Sequence, residues 1–256
     1  MRRCFALLAL LCLPGLAMAQ TSGAPPSEAS SGAGPCPPSP TQAVNLPVTR
    51  AALARGAPVT IVAFGSSSTE GAAASGPEQT YPAQLEMRLR AALPGARLTV
   101  LNRGKGGQEV HEMLARLESD VLAAQPTLVI WQAGANAVLQ GMPAEEFHNS
   151  LAGGIARLQA SGADVLLMDV QRAPRILHST GFERLDAVIL ALAAETHAPL
   201  FSRAALMRGW DAEGTPYAAM ISPDGLHHND RGYACLAEAL ARSILGATGP
   251  SVMARR

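Results

Sequence analysis

Short apolar runs alternate with longer amphipathic segments along most of the chain. The runs are rich in aliphatic residues, as expected of strands buried on both faces, and lie at 59–64, 98–101, 128–131, 165–170 and 199–201. Between them, apolar residues recur at helical spacing and predict helices at 81–93, 110–124, 143–159, 182–196 and 233–245. The chain is therefore predicted to alternate strand and helix.

This alternation predicts an α/β fold in which helices cover both faces of a doubly wound parallel sheet, as a three-layer α/β/α sandwich. In such a sheet, ligands bind beyond the carboxyl ends of the strands, next to the switch in strand order. The loops that follow the strands are where chemistry is expected.

The first residues have the pattern of a targeting segment. Arg2 and Arg3 precede an apolar run at 5–13, and Ala17-Met18-Ala19 supplies the small residues that signal peptidase accepts. The run is too short to span a bilayer comfortably. We expect 1–19 to be a cleaved secretory signal peptide. The mature protein is then periplasmic or secreted, with no stable membrane anchor.

Composition indicates where the folded domain begins and ends, and which partners it excludes. Residues 20–45 are rich in Ser, Gly and Pro and predict a flexible leader, followed by a domain at 46–247 and a tail at 248–256. The 256 residues, 48% hydrophobic, allow a single domain with a sizeable core. With 20 basic and 20 acidic side chains the net charge is zero, so no nucleic-acid partner is expected.

Signal cleavage leaves two cysteines, Cys36 and Cys235. In an oxidising compartment they can form a disulfide. The alternative is that Cys235 is a buried helix residue and Cys36 an idle thiol, and spacing alone does not choose between the two.

Four loops carry polar groups that could act together. The first three follow strands: Gly65-Ser66-Ser67-Ser68-Thr69-Glu70-Gly71, Asn102 to Gly107, and Gly134-Ala135-Asn136-Ala137. The fourth, Asp224-Gly225-Leu226-His227, precedes the last helix. Each loop alone is ordinary, since serine and glycine runs are usually turns. Three such loops at strand ends and a fourth before the last helix, in this order, are much harder to obtain by chance.

These loops resemble the four blocks of the SGNH hydrolases, or GDSL esterase/lipase superfamily, over about residues 57–245. The resemblance implies a flavodoxin-like sheet order and a catalytic set of Ser67 as nucleophile, His227 as base and Asp224 as its orienting carboxylate. It implies an oxyanion hole formed by Ser67, Gly107 and Asn136. Two positions depart from the family pattern, because Ser66 and Ala137 stand where Asp is usual.

The side chains support this chemistry independently of the family. A serine hydroxyl is a weak nucleophile until a base takes its proton, and histidine titrates near the required pH. A carboxylate on the other ring nitrogen fixes the histidine tautomer. The neighbouring His228 is an alternative base by spacing. The family pattern selects His227 and leaves His228 either facing solvent or supporting the site from behind.

Four further histidines and two aromatic residues could also take part in binding. His111, His148, His178 and His197 are dispersed, so neither a metal site nor a cofactor is expected. Trp210 and Tyr217 lie in a stretch interpreted as irregular, just before the fourth loop. We expect them to wall the acyl or sugar pocket.

The leading hypothesis is an exported serine esterase that removes a short acyl or acetyl group from a carbohydrate or lipid. A carbohydrate O-acyltransferase using the same serine is an alternative. A third is a non-catalytic polysaccharide-binding module, against which the intact Ser67, Asn136, Asp224 and His227 argue.

Overall fold

The structure is a computed structural model that describes Met1 and residues 34–249. The predicted signal peptide, residues 20–33 of the predicted leader and residues 250–256 of the tail lie outside the described residues. Among the helices that the structure describes, none has the length and apolar character needed to cross a bilayer.

Five parallel strands form one sheet in the order β2-β1-β3-β4-β5. The strands are β1 (Val59–Gly65), β2 (Leu98–Gly104), β3 (Leu128–Gln132), β4 (Asp164–Met168) and β5 (Leu200–Phe201). Every residue of β3 and β4 is buried, as the unbroken apolar runs predict. The predicted doubly wound α/β sandwich is confirmed.

Helices cover both faces of the sheet. In chain order they are α1 (Pro47–Ala54), α2 (Ser67–Glu70), α3 (Tyr81–Ala92), α4 (Val110–Ala115), α5 (Leu117–Asp120), α6 (Ala135–Gln140), α7 (Ala144–Ala160), α8 (Pro174–Leu177), α9 (Phe182–Glu195), α10 (Arg203–Ala212) and α11 (Asp230–Thr248). Helices α1 and α3 pack with α11, whereas α4 and α9 pack with α7. The two groups form the outer layers of the sandwich.

The strand order places the loops of interest together. Because β1 pairs with β2 on one side and β3 on the other, the carboxyl ends of all three strands meet at one edge of the sheet. Chain order reverses direction there, which is where doubly wound sheets bind ligands.

Helices α1, α2, α6 and α8 were not predicted from the sequence, and three further helical regions also differ from the prediction. The predicted helix at 110–124 is divided, because Arg116 leaves helical geometry and turns its guanidinium inward between α4 and α5. The segment interpreted as irregular before the fourth loop contains α10, whose buried face includes Leu206, Met207 and Trp210. The last helix starts three residues early, capped by Asn229, whose side chain accepts from Gly232 N at 2.9 Å.

Residues 34–46 contain no helix or strand, yet they are fixed to the domain. Gln42 and Ser202 exchange two hydrogen bonds of 2.9 and 2.7 Å, and Arg242 donates to Ser39 Oγ at 2.6 Å. Cys36 is joined to Cys235 of α11 as a disulfide, with Cα atoms 5.3 Å apart. The disulfide is one of the two alternatives that the sequence left open for these cysteines. The composition of the segment did not indicate the contacts with Ser202 and Arg242, because these partners lie some 160 to 200 residues away along the chain.

Candidate active site

The serine run after β1 presents one hydroxyl to the surface. Ser67 is the first residue of α2 and is partly exposed, whereas Ser66 and Ser68 are 2% and 1% exposed. The chain turns so tightly that a Cβ on Gly104 of β2 would collide with the backbone of Glu70. Only glycine permits this close approach of β2 to α2.

The loop at 222–228 holds the histidine and carboxylate in one tight turn. Asp224 Oδ1 accepts hydrogen bonds from Ser222 Oγ at 2.6 Å and from the backbone N–H groups of Leu226 and His227 at 2.8 and 3.0 Å. Burial opposes ionisation of Asp224, but the bonds from Ser222, His227 and Leu226 outweigh it and hold the pKa of this carboxyl well below its usual range. Asp224 is therefore ionised at neutral pH.

Two short hydrogen bonds connect this loop to the serine. Asp224 Oδ2 lies 2.5 Å from His227 Nδ1, and His227 Nε2 lies 2.7 Å from Ser67 Oγ. An ionised carboxylate on Nδ1 favours the tautomer in which Nε2 is free to accept the serine proton. The three residues that the sequence singled out thus form a continuous chain from carboxylate to hydroxyl.

The predicted oxyanion residues lie on the two flanking loops. Asn136, the second residue of α6, is partly exposed and donates from Nδ2 to Gln108 O at 2.8 Å. This bond ties Asn136 to the residue that follows Gly107. Gly107 is exposed and has φ +78°, a left-handed conformation that glycine adopts without strain. The β2 and β3 loops are thereby fixed to each other beside Ser67.

A neutral polar network supports the nucleophile loop from below. The side-chain oxygen of the fully buried Gln132 accepts from Ser66 N, Ser66 Oγ and Thr69 Oγ1 at 3.1 to 3.2 Å. A carboxylate at position 66 would be buried against this acceptor. Ser66 therefore complements Gln132, which the sequence interpretation missed; the only signal was a polar residue ending an apolar strand.

Arg116 is a second residue that the sequence interpretation missed. Its guanidinium is almost fully buried and lies over the Phe64 ring at 4.6 Å. It donates to Gly65 O and to Arg103 O at 2.9 Å, and to Gln108 Oε1 at 2.6 Å. One side chain thus joins the end of β1, the end of β2 and the loop that carries Gly107. A lone arginine within a predicted apolar helix face was the available signal.

His228 is not at the surface. It is fully buried between Trp210 and Tyr233, with ring centroids 6.3 and 5.5 Å away, and its Nδ1 lies 3.0 Å from Met220 O. The expectation that it could face solvent is wrong, because the turn at 222–228 sends neighbouring side chains in opposite directions. Burial, and next the charge of Arg203, lower the pKa of His228 to about 3.

The two predicted pocket-wall residues have different positions. Trp210 is 1% exposed and packs in the core against His228, so the structure leaves it no surface to offer a substrate. Tyr217 is partly exposed, and its hydroxyl accepts from Arg172 Nε at 3.1 Å. The amphipathic character of α10 was masked in the sequence by its arginines and glycine.

The dispersed histidines remain apart in the structure. Within residues 34–249, no three His, Cys, Asp or Glu side chains gather in a way that could hold a metal ion.

The strand order and the four loops at its switch point define a member of the SGNH hydrolase superfamily. More narrowly, the model of the non-GDSL lipase-like family matches residues 35–249, and the chain belongs to that family. The resemblance drawn from the four blocks is confirmed.

Similar proteins include several esterases. Esterase TesA of Pseudomonas aeruginosa is 28% identical over 152 residues, which cover 58% of this chain and 70% of that protein. A two-domain esterase active on acetylated mannans is 22% identical with a TM-score of 0.69, and the match covers 81% of this chain but 55% of that one. The acetylxylan esterase Axe2 of Geobacillus stearothermophilus is 22% identical with a TM-score of 0.62, over 73% and 94% of the two chains. The structural likenesses show the shared fold.

Replacing Arg116 by lysine should lower kcat for an ester substrate by about 10- to 10²-fold with little change in KM. The lysine keeps the charge but cannot bond Gly65, Arg103 and Gln108 together, and small misplacements of reacting groups cost this much. Steady-state kinetics per folded molecule, with thermal melts, measure the effect. Arg157→Lys, at an exposed arginine on α7, is the control. An unchanged kcat in folded Arg116→Lys would show that the hydrogen bonds of Arg116 to Gly65, Arg103 and Gln108 do not position the site.

Replacing His228 by glutamine should flatten the pH dependence of stability. Folded His228 stays neutral down to a pKa of about 3, whereas an unfolded histidine titrates near ~6.5, so unfolding takes up a proton between these values. Stability is therefore lost as the pH falls below ~6.5, by up to about 1.4 kcal/mol per pH unit. Urea unfolding at neutral and acidic pH should show a smaller loss in His228→Gln than in wild type or in the surface variant His178→Gln. Equal losses in all three would contradict the assignment.

Proposed function

We propose that this protein is an exported serine esterase that hydrolyses a short acyl or acetyl ester on a carbohydrate or lipid. The observation that carries the proposal is the unbroken line of hydrogen bonds from Asp224 through His227 to Ser67 Oγ, at 2.5 and 2.7 Å. No other hydroxyl of the serine run is exposed beside it.

The geometry supports a two-step acyl transfer. As Ser67 Oγ attacks the ester carbonyl, His227 Nε2 takes its proton, and ionised Asp224 stabilises the resulting imidazolium. The N–H groups of Ser67 and Gly107 and the Asn136 amide would donate to the carbonyl oxygen as it becomes negative. His227 then returns the proton to the leaving alcohol, which departs and leaves an acyl-serine.

In the second step, water hydrolyses the acyl-serine. A water molecule gives a proton to His227 and attacks the acyl carbon, and the tetrahedral intermediate collapses to release the carboxylic acid and regenerate Ser67. Glu70, Gly106 and Gly107 at the rim are exposed, so water has access to this side of the serine. A sugar hydroxyl attacking in place of water would give the acyltransferase alternative.

The relatives support the ester as substrate. Esterase TesA is similar in sequence, and the acetylated-mannan and acetylxylan esterases, whose names state acetylated glycans as substrates, share the fold. An acetylated glycan is consistent with an open site whose nucleophile loop is short and carries no long apolar lid.

Two features of the chain support export. The first 19 residues have the charge and apolar pattern of a signal peptide. The pairing of Cys36 with Cys235 is of the kind that persists in oxidising compartments. We therefore place the mature enzyme in the periplasm or outside the cell.

Hydrolysis of 4-nitrophenyl acetate by serine variants tests the mechanism. Ser67→Ala should abolish turnover, whereas Ser68→Ala, at the neighbouring buried serine, should keep it. Full activity in Ser67→Ala would overturn the proposal.

Asn136→Ala should lower kcat by ~10²–10³ with little change in KM, because the lost donor acts on the transition state.

Repeating the assay with a sugar acceptor distinguishes transfer, which yields an acylated sugar, from hydrolysis, which yields acetate.

A further inference from the structure

A cleft of about 660 Å³ lies between α8 and α9, lined by Arg172, Leu177, Ser179 and the residues Gly181 to Arg184. We call it the α8–α9 cleft. Its volume lies within the range of pockets that hold small ligands. Nothing in the chemistry derived above uses it.

The α8–α9 cleft is attached to the Asp224–His227 loop. Arg175 N donates to Gly225 O at 3.0 Å, and buried Gln171 donates to Leu226 O at 3.2 Å. The stem of Arg175 also packs over Gly225, with its Cγ 3.6 Å from where a Cβ would stand. The segment 171–177, which supplies Arg172 and Leu177 to the cleft, therefore also contacts the turn that carries the proposed base.

Two arginine side chains supply positive charge to the walls of the cleft. Arg172 and Arg184 lie on its walls, and neither forms an ion pair with an acidic group among residues 34–249. The one hydrogen bond that Arg172 makes through its side chain within those residues uses Nε, donated to Tyr217, which leaves its two terminal nitrogens to donate elsewhere. Gly181–Arg184, the uncapped first turn of α9, adds the positive end of a helix.

Two carboxylates lie near these arginines and have to be counted. Glu183 lines the cleft and is exposed at its rim, as is Arg184. Asp186 is within electrostatic range of Arg172, and burial, with the charge of Asp169, raises the pKa of Asp186 to about 6. Asp186 therefore loses its charge at mildly acidic pH, where the excess positive charge on the cleft increases.

We propose that the α8–α9 cleft is a substrate subsite in which Arg172 and Arg184 bind a carboxylate of the ester substrate. Guanidinium groups match carboxylates in planar, two-point hydrogen bonds, and such charged bonds are stronger than neutral ones. The inference rests on the proposed esterase function and narrows it to acidic esters. The carboxylate belongs either to the alcohol part, as in an acetylated hexuronate, or to the acyl part, as in a succinyl ester.

Paired substrates in which one member carries a free carboxylate and the other lacks it test the subsite. One pair is an O-acetylated galacturonate and its uncharged methyl ester; the other is 4-nitrophenyl succinate and 4-nitrophenyl butyrate. For one pair, wild type should prefer the acid by about tenfold or more in kcat/KM, mainly through KM. The pair that shows the preference identifies which part carries the carboxylate. Equal rates within both pairs would overturn the proposal.

Matched variants locate the effect. Arg172→Gln and Arg184→Gln should each lower the preference for the acid, measured as the ratio of kcat/KM within the pair. Arg50→Gln is the control, since Arg50 is exposed on α1, which is bonded through Thr49 to Asp164 at the opposite end of the sheet. Arg172→Lys and Arg184→Lys should retain part of the preference for the acid. A preference that survives both glutamine substitutions would contradict the assignment.

Calorimetric binding of an oligogalacturonate and of succinate to the full-length protein separates this inference from the esterase proposal. Saturable binding of either acid that Arg172→Gln and Arg184→Gln weaken, but Arg50→Gln does not, supports the subsite even if no ester is hydrolysed. Absence of binding by both acids, alongside normal hydrolysis of 4-nitrophenyl acetate, would overturn the subsite and leave the esterase proposal intact.

Discussion

The position of β1 between β2 and β3 is the constraint on which the site depends. Each pairing is parallel, so all three strands deliver their next loop to the same edge of the sheet. Ser67, Gly107 and Asn136 follow these strands directly, and α11 brings the Asp224–His227 turn to them from the far end of the chain. The 2.7 Å hydrogen bond between His227 Nε2 and Ser67 Oγ joins residues that are 160 positions apart in the chain.

Buried polar groups convert this edge into a rigid support. Arg116 bonds the ends of β1 and β2 to Gln108, and Gln132 accepts three hydrogen bonds from the nucleophile loop. Buried polar atoms are costly to leave without partners, so each of these hydrogen bonds restricts the loop to the conformation that forms it. The Ser66–Gln132 pair also explains how the loop keeps its shape without the family's usual aspartate.

Sequence patterns predicted the sheet well because each strand contains a short run that is rich in aliphatic residues. The four loops were recognisable because their residues are local and ordered along the chain. Features that depend on distant partners were not predictable: Arg116 lies in a segment with helical spacing, α10 conceals its apolar face among charged residues, and His228 differs from His227 only in which way the turn directs it. The attachment of residues 34–46 likewise depends on Ser202, Cys235 and Arg242.

Covalent labelling tests most directly whether Ser67 is the nucleophile that His227 activates. A fluorophosphonate reacts with an activated serine by losing fluoride, and peptide mapping by mass spectrometry then locates the adduct. The structure predicts one adduct per chain, on Ser67, formed far more slowly in His227→Ala. An adduct on Ser66 or Ser68, or equal labelling rates in wild type and His227→Ala, would contradict it.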